Sequence, residues 1–542
     1  MCFRSLSIVL LTLVFIVQAK AQPERPSPED RPKLVVGIVV DQMRYEYISR
    51  FWSRYGDDGF KRLVNDGFSF TNHHYNYFPT YTGPGHAAIY TGTTPSVNGI
   101  VGNSWYERKG KSGMYVVSDT TMQTLGGDAA PRSPANLQST TITDELKQGI
   151  SKSKVISVSI KDRGAVLPAG HLGDGAFWYD DETGHFVSST WYMDVLPEWL
   201  QQFNQKGLAQ TYSDKTWQPL LPIQQYTESN ADDSAYEQPF PWEEKAVFPH
   251  EFGRDTTESY WTVKGSPYGN TLIVDVAKAG IAAENLGADA VTDFLAVSFS
   301  STDYVGHQFG PNSVEIQDTY LRLDKDIADL LNYLDKEVGE GNYLVFLTSD
   351  HGVVDTPVSL TDKGLPGGMF DSEQAIDSLQ VFLNTTFGEA DWIETYANQQ
   401  VYLNRDVIEE QEISLEIMQH EAARFLRRFD GVALTNTAYN FETEGYGEGL
   451  QAMYQRGHYP LRSGDVYIQL APGWLDRSSE VGTSHGSPYS YDTHVPLIFY
   501  GWKIPRGRSS RKTVIPQIAP TISNMLQIEF PSGSSNHVLR FE

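Results

Sequence analysis

Five short hydrophobic runs are spaced along the chain, and each is followed by a polar segment. They span 33–40, 155–160, 294–300, 343–348 and 495–500. A continuous hydrophobic run of this length is typical of a strand buried on both faces, as in a parallel sheet. Segments with helical spacing of apolar residues lie at about 45–65, 136–149, 270–285, 313–337 and 515–526. The alternation predicts an α/β fold with a mostly parallel central sheet flanked by helices.

Two stretches depart from this alternation. Residues 172–262 are rich in Trp, Tyr, Pro and acidic residues, and residues 362–480 form a long mixed segment. No short linker sets either stretch apart. We therefore predict a single domain over 33–542 that carries two insertions at about these positions.

The N-terminus has the pattern of an export signal. Arg4 precedes an apolar run over 6–17, and Ala19 and Ala21 have the spacing of a cleavage site. The run is shorter than the ~20 residues that span a bilayer, although a buried helix or a signal anchor stays open. We predict a signal peptide over 1–21, a loose leader over 22–32, and export to the periplasm or the medium without a membrane span.

The excess of acidic side chains limits the classes of molecule that the protein is expected to bind. The chain has 68 acidic and 42 basic side chains, a formal charge of −26. This argues against a stable nucleic-acid or anionic-lipid complex, because such partners need clustered cations. The single cysteine, Cys2, falls in the predicted signal peptide, so we expect oxygen and nitrogen chemistry in the mature chain. The oligomeric state stays open, and a monomer is compatible with the sequence.

Potential metal ligands follow three of the predicted strands and one later Gly/Ser-rich loop. Singly, each is better explained as a turn or helix cap. Together, this many carboxylates in one crevice would be costly without cations. Zinc binds His and Asp while keeping a position open, and two zinc ions ~4 Å apart can clamp a phosphoryl displacement. The six candidates are Asp41, Asp303, His307, Asp350, His351 and His485.

The segment YNYFPTYTGPGHAAIYT contains a candidate nucleophile, Thr82. Pro84 favours a helix start, which predicts Thr82 at the N-cap, where free N–H groups attract phosphate. A zinc ion on Asp41, Asp350 and His351 would activate its hydroxyl. A plain helix cap is the simpler interpretation, and Thr80 is a rival nucleophile.

Three further residues are candidates for binding the phosphoryl group. Asn103, in GNSWY, could donate its amide to a phosphoryl oxygen. Lys161 and Arg163, in SIKDRGA, place two cations at a strand end of a very acidic chain, which suits an anionic substrate. A turn-forming Asn and a local salt bridge to Asp162 are the alternatives.

These motifs, taken in order, resemble the alkaline phosphatase superfamily. The likeness is to the bacterial exported, phosphate-irrepressible alkaline phosphatases, which are close to the nucleotide pyrophosphatase/phosphodiesterase branch. It extends from about residue 33 to 530. The motifs that carry it are VVDQM, PTYTGPGH, GNSWY, SIKDRGA, TDYVGHQFGP, TSDHG and TSHGSP.

The resemblance implies two zinc ions per chain and hydrolysis of phosphate monoesters with release of inorganic phosphate. It implies attack on phosphorus by Thr82 and a phospho-threonine intermediate. One zinc would bind Asp303, His307 and His485. The other would bind Asp41, Asp350, His351 and the Thr82 hydroxyl. The non-bridging oxygens would be held by Asn103, Lys161 and Arg163.

Other activities compete with monoester hydrolysis. Two cations at the transferred group favour a dianionic monoester over a diester, but a phosphodiesterase or nucleotide pyrophosphatase with the same metals is the main alternative. Sulfatases need a C/S-x-P-x-R motif, which is absent from the sequence. Cofactor-independent phosphoglycerate mutases use a Ser nucleophile in the cytosol. An exported glycan- or nutrient-binding protein would explain the aromatic residues but not the ligand set.

Overall fold

The computed structural model describes residues 31–252, 260–477, 479–534 and 537–542. The predicted signal peptide and nearly all of the predicted leader lie outside these residues. Within the described ranges, no helix is both long and apolar enough to cross a membrane.

A ten-stranded main sheet organises the molecule. Its strands, numbered in chain order, are β1 (Leu34–Val40), β2 (Phe68–Phe70), β3 (Thr124–Leu125), β4 (Val155–Ser159), β5 (Gly175–Asp180), β6 (His185–Ser189), β7 (Asp293–Phe299), β8 (Tyr343–Thr348), β9 (Leu497–Gly501) and β10 (Gly507–Ser509). Their spatial order is β10-β2-β9-β8-β1-β7-β4-β5-β6-β3. The five central strands, β8 to β5, are parallel, whereas β9 and β6 run antiparallel on either side. The predicted mostly parallel α/β sheet is confirmed.

The register aligns the carboxyl ends of the central strands. Val40 pairs with Phe299, Val39 with Thr348, and Ser298 with Ser159. The residues that follow β1, β4, β7 and β8 therefore emerge at one edge of the sheet, which is where ligands bind in open α/β sheets.

Both faces of the central strands are buried. Along β1, Val36 and Ile38 pack into the hydrophobic core on one face, and Val35 and Val39 pack into the core on the other. Successive side chains of a strand point to opposite faces, so a strand covered on both sides needs an unbroken apolar run. This explains why the runs in the sequence do not alternate with polar residues.

Nine of the α-helices that contribute side chains to the hydrophobic cores around the main sheet are numbered in chain order. They are α1 (Glu46–Arg50), α2 (Phe60–Asp66), α3 (Thr82–Thr91), α4 (Ile142–Gly149), α5 (Asp162–Ala169), α6 (Tyr268–Glu284), α7 (Ser301–Phe309), α8 (Val314–Leu334) and α9 (Ile518–Leu526). The predicted helix over 45–65 is interrupted between α1 and α2. Asp324 accepts hydrogen bonds from the backbone N–H groups of Gly56 and Phe60, which holds the chain in a turn.

The two stretches predicted as insertions differ from each other. The first begins inside the main sheet, because β5 and β6 lie within residues 172–262 and pair with β4 and each other. The second contains a separate four-stranded sheet, Ile393–Ala397, Gln400–Leu403, Val466–Leu470 and Val432–Thr437. That sheet packs with Ser372–Phe387 and Leu415–Leu426 around its own hydrophobic core.

The remaining elements are short connections or parts of these segments. The other strands are His73–His74, Ser104–Glu107, Ser112–Tyr115, Thr216–Trp217, His250–Glu251, Gly368–Met369, Trp474–Leu475 and Thr513–Val514. The other α-helices are Pro95–Asn98, Glu198–Gln205, Leu208–Ser213, Trp261–Lys264, Pro357–Asp362, Arg405–Glu410, Ala438–Thr443, Gly449–Gly457 and Ser490–Thr493. Single helical turns of other types cover Ile223–Gln225, Asp335–Gly339 and Ile515–Gln517.

Candidate active site

Three carboxylates meet at the carboxyl edge of the main sheet. Asp41 directly follows β1, Asp303 lies in the first turn of α7 after β7, and Asp350 follows β8. All three are buried. Parallel strands in register bring together residues that lie far apart in the sequence, as the pattern of hydrophobic runs predicts.

Histidines complete two groups of potential metal ligands. In one group, ligand atoms of Asp303, His351 and His485 lie within 4.8 Å of one another, and in the other so do those of Asp41, Asp350 and His351. The rings of His351 and His485 stack with centroids 3.5 Å apart. His307 is outside both groups, although its Nε2 lies 3.1 Å from Asp303 Oδ1. The structure thus brings together all six sequence-predicted ligands, with His351 shared between the two groups.

The imidazole rings of His307, His351 and His485 are held in the same way by the backbone. Each Nδ1 faces a backbone carbonyl, which can only accept, so each ring carries a proton on Nδ1 and turns Nε2 toward the carboxylates. The carbonyl partners are Thr483 for His307 at 2.8 Å, Gly352 for His351 at 2.9 Å, and Thr80 for His485 at 2.8 Å. A hydrogen bond from the second ring nitrogen is the usual support of a metal-ligating histidine.

The carboxylates also present unused acceptors. Asp41 Oδ1 and Asp350 Oδ2 are buried and have no hydrogen-bond partner. Burial raises the pKa of Asp41 to about 6, and burial together with the neighbouring Asp41 raises the pKa of Asp350. Buried, unpartnered carboxylate oxygens beside the Nε2 atoms of imidazoles are a donor set that fits zinc.

Thr82 is the first residue of α3, and the N-cap position belongs to Tyr81. The prediction that Thr82 is the N-cap is therefore wrong by one residue. Because its backbone is already helical, the Thr82 hydroxyl is not needed as a cap. It lies 3.5 Å from His351 Nε2 and 3.4 Å from Lys161 Nζ. Gly85 allows the first turn of α3 to lie against Asp350, because a Cβ at residue 85 would overlap the backbone of Asp350.

Asn103 lies beside the start of α3. Its Oδ1 accepts a hydrogen bond from the Gly83 N–H at 2.7 Å. This contact holds the Asn103 amide beside the residue that follows Thr82. Thr80 instead donates its hydroxyl to the Ser487 carbonyl at 2.8 Å, and this contact turns the rival hydroxyl toward the loop that carries His485.

Lys161 lies between two of the carboxylates. Its Nζ is 2.7 Å from Asp41 Oδ2 and 2.5 Å from Asp303 Oδ2, and the side chain is buried. The sequence left open a local salt bridge between Lys161 and Asp162. Lys161 does not form it, and Asp162 pairs instead with Arg132 at 2.5 Å. The ammonium balances charge at the centre of the site.

Arg163 is held by a residue that the sequence did not reveal. Its guanidinium donates to the Tyr115 hydroxyl at 3.1 Å, and this hydroxyl donates to Asp162 Oδ1 at 2.5 Å. The side chains of Lys161, Arg163 and Tyr115 line a cavity of about 230 Å³. Tyr115 comes from the strand Ser112–Tyr115, which carries no recognisable motif, so only the fold connects it to Arg163.

Gln42 is a further site residue that the sequence did not predict, although it directly follows Asp41. Its Nε2 donates to Asp303 Oδ1 at 2.6 Å, and its backbone N–H donates to Asp350 Oδ1 at 3.2 Å. The backbone of Gln42 has φ 63°, a left-handed conformation that non-glycine residues seldom adopt. Gly306 leaves room for its side chain, because a Cβ there would overlap Gln42 Oε1.

The sequence also matches known proteins. The family described as type I phosphodiesterase / nucleotide pyrophosphatase matches residues 35–489. The alkaline phosphatase PhoV of Synechococcus elongatus is 45% identical over 96% of this chain and 95% of its own. A protein of Myroides odoratus named calcium-transporting ATPase is 44% identical over 93% of both chains. The alkaline phosphatase PafA of Elizabethkingia meningoseptica is 41% identical over 96% of both chains.

Structural comparison gives a consistent result. The crystal structure of wild-type alkaline phosphatase PafA matches with a TM-score of 0.89 and 41% identity, over 94% of this chain and 98% of PafA. A PafA variant with substitutions at one Thr, one Asn, one Lys and one Arg matches with the same TM-score of 0.89.

Proposed function

The chain belongs to the type I phosphodiesterase / nucleotide pyrophosphatase family, and we propose that it hydrolyses phosphate monoesters as an alkaline phosphatase. Two relatives that are 45% and 41% identical over nearly their whole length bear that name. The observation that carries the proposal is the position of the Thr82 hydroxyl, which lies within 3.5 Å of both His351 Nε2 and Lys161 Nζ.

We further propose that the cofactor is a pair of zinc ions. Asp41, Asp350, His351 and the Thr82 hydroxyl would hold one ion, and Asp303, His307 and His485 would hold the other. Bound zinc would supply Lewis-acid stabilisation of the attacking and leaving oxygens. This assignment is supported by the unpartnered oxygens of Asp41 and Asp350 and by the Nε2 atoms that the three histidines turn toward the carboxylates.

Thr82 is the proposed nucleophile. Its Oγ1 loses its proton and forms a bond to phosphorus while the bond from phosphorus to the ester oxygen breaks. The alcohol departs with a proton, and the phosphoryl group stays on Thr82. Water then attacks the same phosphorus from the face opposite Thr82 Oγ1, a proton from the water returns to Oγ1 as the phospho-threonine bond breaks, and inorganic phosphate is released.

Asn103, Lys161 and Arg163 are proposed to bind the non-bridging oxygens. Lys161 Nζ is 3.4 Å from Thr82 Oγ1, within reach of an oxygen on a phosphoryl group attached there. Donors aimed at developing charge in a buried site stabilise the transition state strongly. The substituted residues of the PafA variant are of the same four types as Thr82, Asn103, Lys161 and Arg163.

The family assignment favours one second candidate, a phosphodiesterase or nucleotide pyrophosphatase that uses the same metals. Lys161 and Arg163 argue for the monoesterase, because a monoester brings two negative charges on the transferred group and a diester only one. We also propose that residues 1–21 direct export to the periplasm or the medium, and that 33–542 form a single catalytic domain.

Trapping the phosphoenzyme tests the nucleophile. Zinc-loaded protein is mixed with an aryl phosphate, quenched in acid and digested for peptide mass spectrometry. The proposal predicts phosphate on the peptide at Thr82, none in Thr82→Ala with zinc content unchanged, and normal trapping in the matched control Thr80→Ala. Phosphate on another residue, or full turnover by Thr82→Ala, would refute the assignment.

A further inference from the structure

One hairpin at the active site holds Asn103 and Tyr115 side by side. Its strands are Ser104–Glu107 and Ser112–Tyr115, and Ser104 pairs with Tyr115. Asn103 directly precedes the first strand, and Tyr115, whose hydroxyl accepts a hydrogen bond from Arg163, ends the second. The positions of Asn103 and of the Arg163 guanidinium therefore depend on how this hairpin is held.

The second insertion, residues 362–480, contacts the end of the hairpin that is next to Asn103. Asn398 Nδ2 donates a hydrogen bond to the Ser104 carbonyl at 2.7 Å. Asn398 lies in a two-residue turn between two strands of the insertion, with φ 53°, a left-handed conformation that Asn adopts more often than most residues. Gly102 leaves room for the amide, because a Cβ there would lie 2.7 Å from Asn398 Nδ2. A tight turn of the insertion therefore packs against the residues on both sides of Asn103.

A buried carboxylate joins the insertion to the other end of the hairpin, where its two strands connect. Asp465 is buried and accepts hydrogen bonds from two guanidinium groups. Arg108, in the hairpin turn, donates to Asp465 Oδ2 at 2.7 Å. Arg405, which belongs to the insertion itself, donates to Asp465 Oδ1 at 2.8 Å. Arg108 therefore ties the hairpin turn to a buried charge of the insertion.

Arg462 of the insertion contacts the segments that flank the first strand of the hairpin. Its Nη1 donates to the Gly99 carbonyl at 2.6 Å and to the Asn136 carbonyl at 2.8 Å. Its guanidinium also lies over the Trp105 ring, 4.7 Å from the ring centroid. The insertion thus contacts the chain just before Asn103, the first strand of the hairpin, and the hairpin turn.

None of the proposed catalytic or metal-binding residues belongs to the second insertion, so the site alone gives it no role. The insertion has its own hydrophobic core, whereas an isolated two-stranded hairpin is only marginally stable. We propose that the insertion serves catalysis by positioning this hairpin, with Asn398 and Arg108 as positioning residues. This role rests on the proposed function, in which Asn103 and Arg163 bind the phosphoryl group. A shift of ~1 Å in such groups can lower the rate by about 10²-fold.

Calorimetric titration of the zinc-loaded full-length protein with inorganic phosphate tests the positioning role without turnover. Asn398→Gly removes the amide and keeps a residue that tolerates the left-handed turn. Its matched control is Gln399→Gly, the same change at the next position of the turn, where φ is 58°. Arg108→Gln removes the guanidinium that links the hairpin to Asp465, and its control, Arg405→Gln, removes the one that belongs to the insertion.

We expect the affinity for phosphate and kcat/KM for an aryl phosphate each to fall by about tenfold in Asn398→Gly and in Arg108→Gln. Both controls should bind phosphate as the wild type does, although Arg405→Gln should lower Tm. In the Asn103→Ala background, Asn398→Gly should have no further effect, because a residue that acts only through Asn103 has no effect without it.

Wild-type phosphate affinity in Asn398→Gly, or the same loss in the Asn103→Ala background, would overturn the proposal. Equal losses in Arg108→Gln and Arg405→Gln would overturn it too, because they would reflect stability and not positioning. If Arg108→Gln does not fold, Asn398→Gly alone decides. A wild type that prefers diesters would refute the proposed monoesterase, and the phosphate affinities of the variants would still decide the positioning role. A wild type that binds no phosphate would overturn both.

Discussion

The side-chain amide of Gln42 donates to Asp303 Oδ1 at 2.6 Å. The backbone N–H of the same residue donates to Asp350 Oδ1 at 3.2 Å. One residue in a left-handed conformation therefore orients a carboxylate in each of the two ligand groups. Such outer hydrogen bonds fix the geometry of metal ligands and tune their basicity.

Gln42→Ala should impair metal binding and catalysis together. Loss of the amide frees Asp303, and we expect zinc affinity and kcat/KM each to fall by about 10–100-fold. Zinc competition with a chelating dye and steady-state kinetics measure the two effects. Gln400→Ala, which removes another buried Gln from the second insertion, should lower Tm but leave zinc affinity intact. Unchanged zinc affinity in Gln42→Ala would contradict its role.

The two cations should discriminate between substrate classes. We expect Lys161→Ala and Arg163→Ala each to lower kcat/KM for an aryl phosphate monoester by about 10²–10³-fold, and to affect the matched diester much less. Lys264→Ala is the control, because this lysine lines the same cavity but pairs with Asp181. Equal losses on both substrates would refute a dianion clamp.

Tyr115 should act as a positioning residue for Arg163. Tyr115→Phe removes the hydroxyl that accepts from Arg163, and we expect about a tenfold loss of kcat/KM for monoesters. The loss should disappear in the Arg163→Ala background, because a residue that acts only through Arg163 has no effect without it. An additive loss in the double variant would show that Tyr115 acts in another way.

The stability of the fold should depend on the charge of His250. Burial lowers its pKa, but hydrogen bonds to Glu243 and Glu315 outweigh this and raise it from 6.5 to about 9. A raised pKa in the folded state contributes stability that is complete below pH 6.5 and is lost as the pH rises through about 9. Urea unfolding across this range should show the decline in wild type and a flatter profile in His250→Gln. The control variant His420→Gln, which changes an exposed histidine, should keep the wild-type profile. A flattened profile in His420→Gln would argue against His250 as the cause.

Most of the site residues could be predicted from the sequence because they lie at the ends of strands. Asp41 directly follows one hydrophobic run and Asp350 lies two residues after another, so parallel pairing alone places them together. Tyr115 could not be found in this way, since its role depends on how a short hairpin packs against α5. The break between α1 and α2 also depends on a distant residue, Asp324, whose contacts no local pattern encodes. Gln42 is adjacent to a predicted ligand, but no pattern in the sequence indicates the left-handed backbone that it adopts.

The most direct test of the central claim is kcat/KM on matched aryl phosphate monoester and diester substrates, measured with protein of defined zinc content. The account predicts a large preference for the monoester, with activity lost on chelation and restored by zinc. A preference for the diester would contradict the proposed substrate class and leave the metal site intact. Full activity after complete removal of metal would contradict the two-zinc site itself.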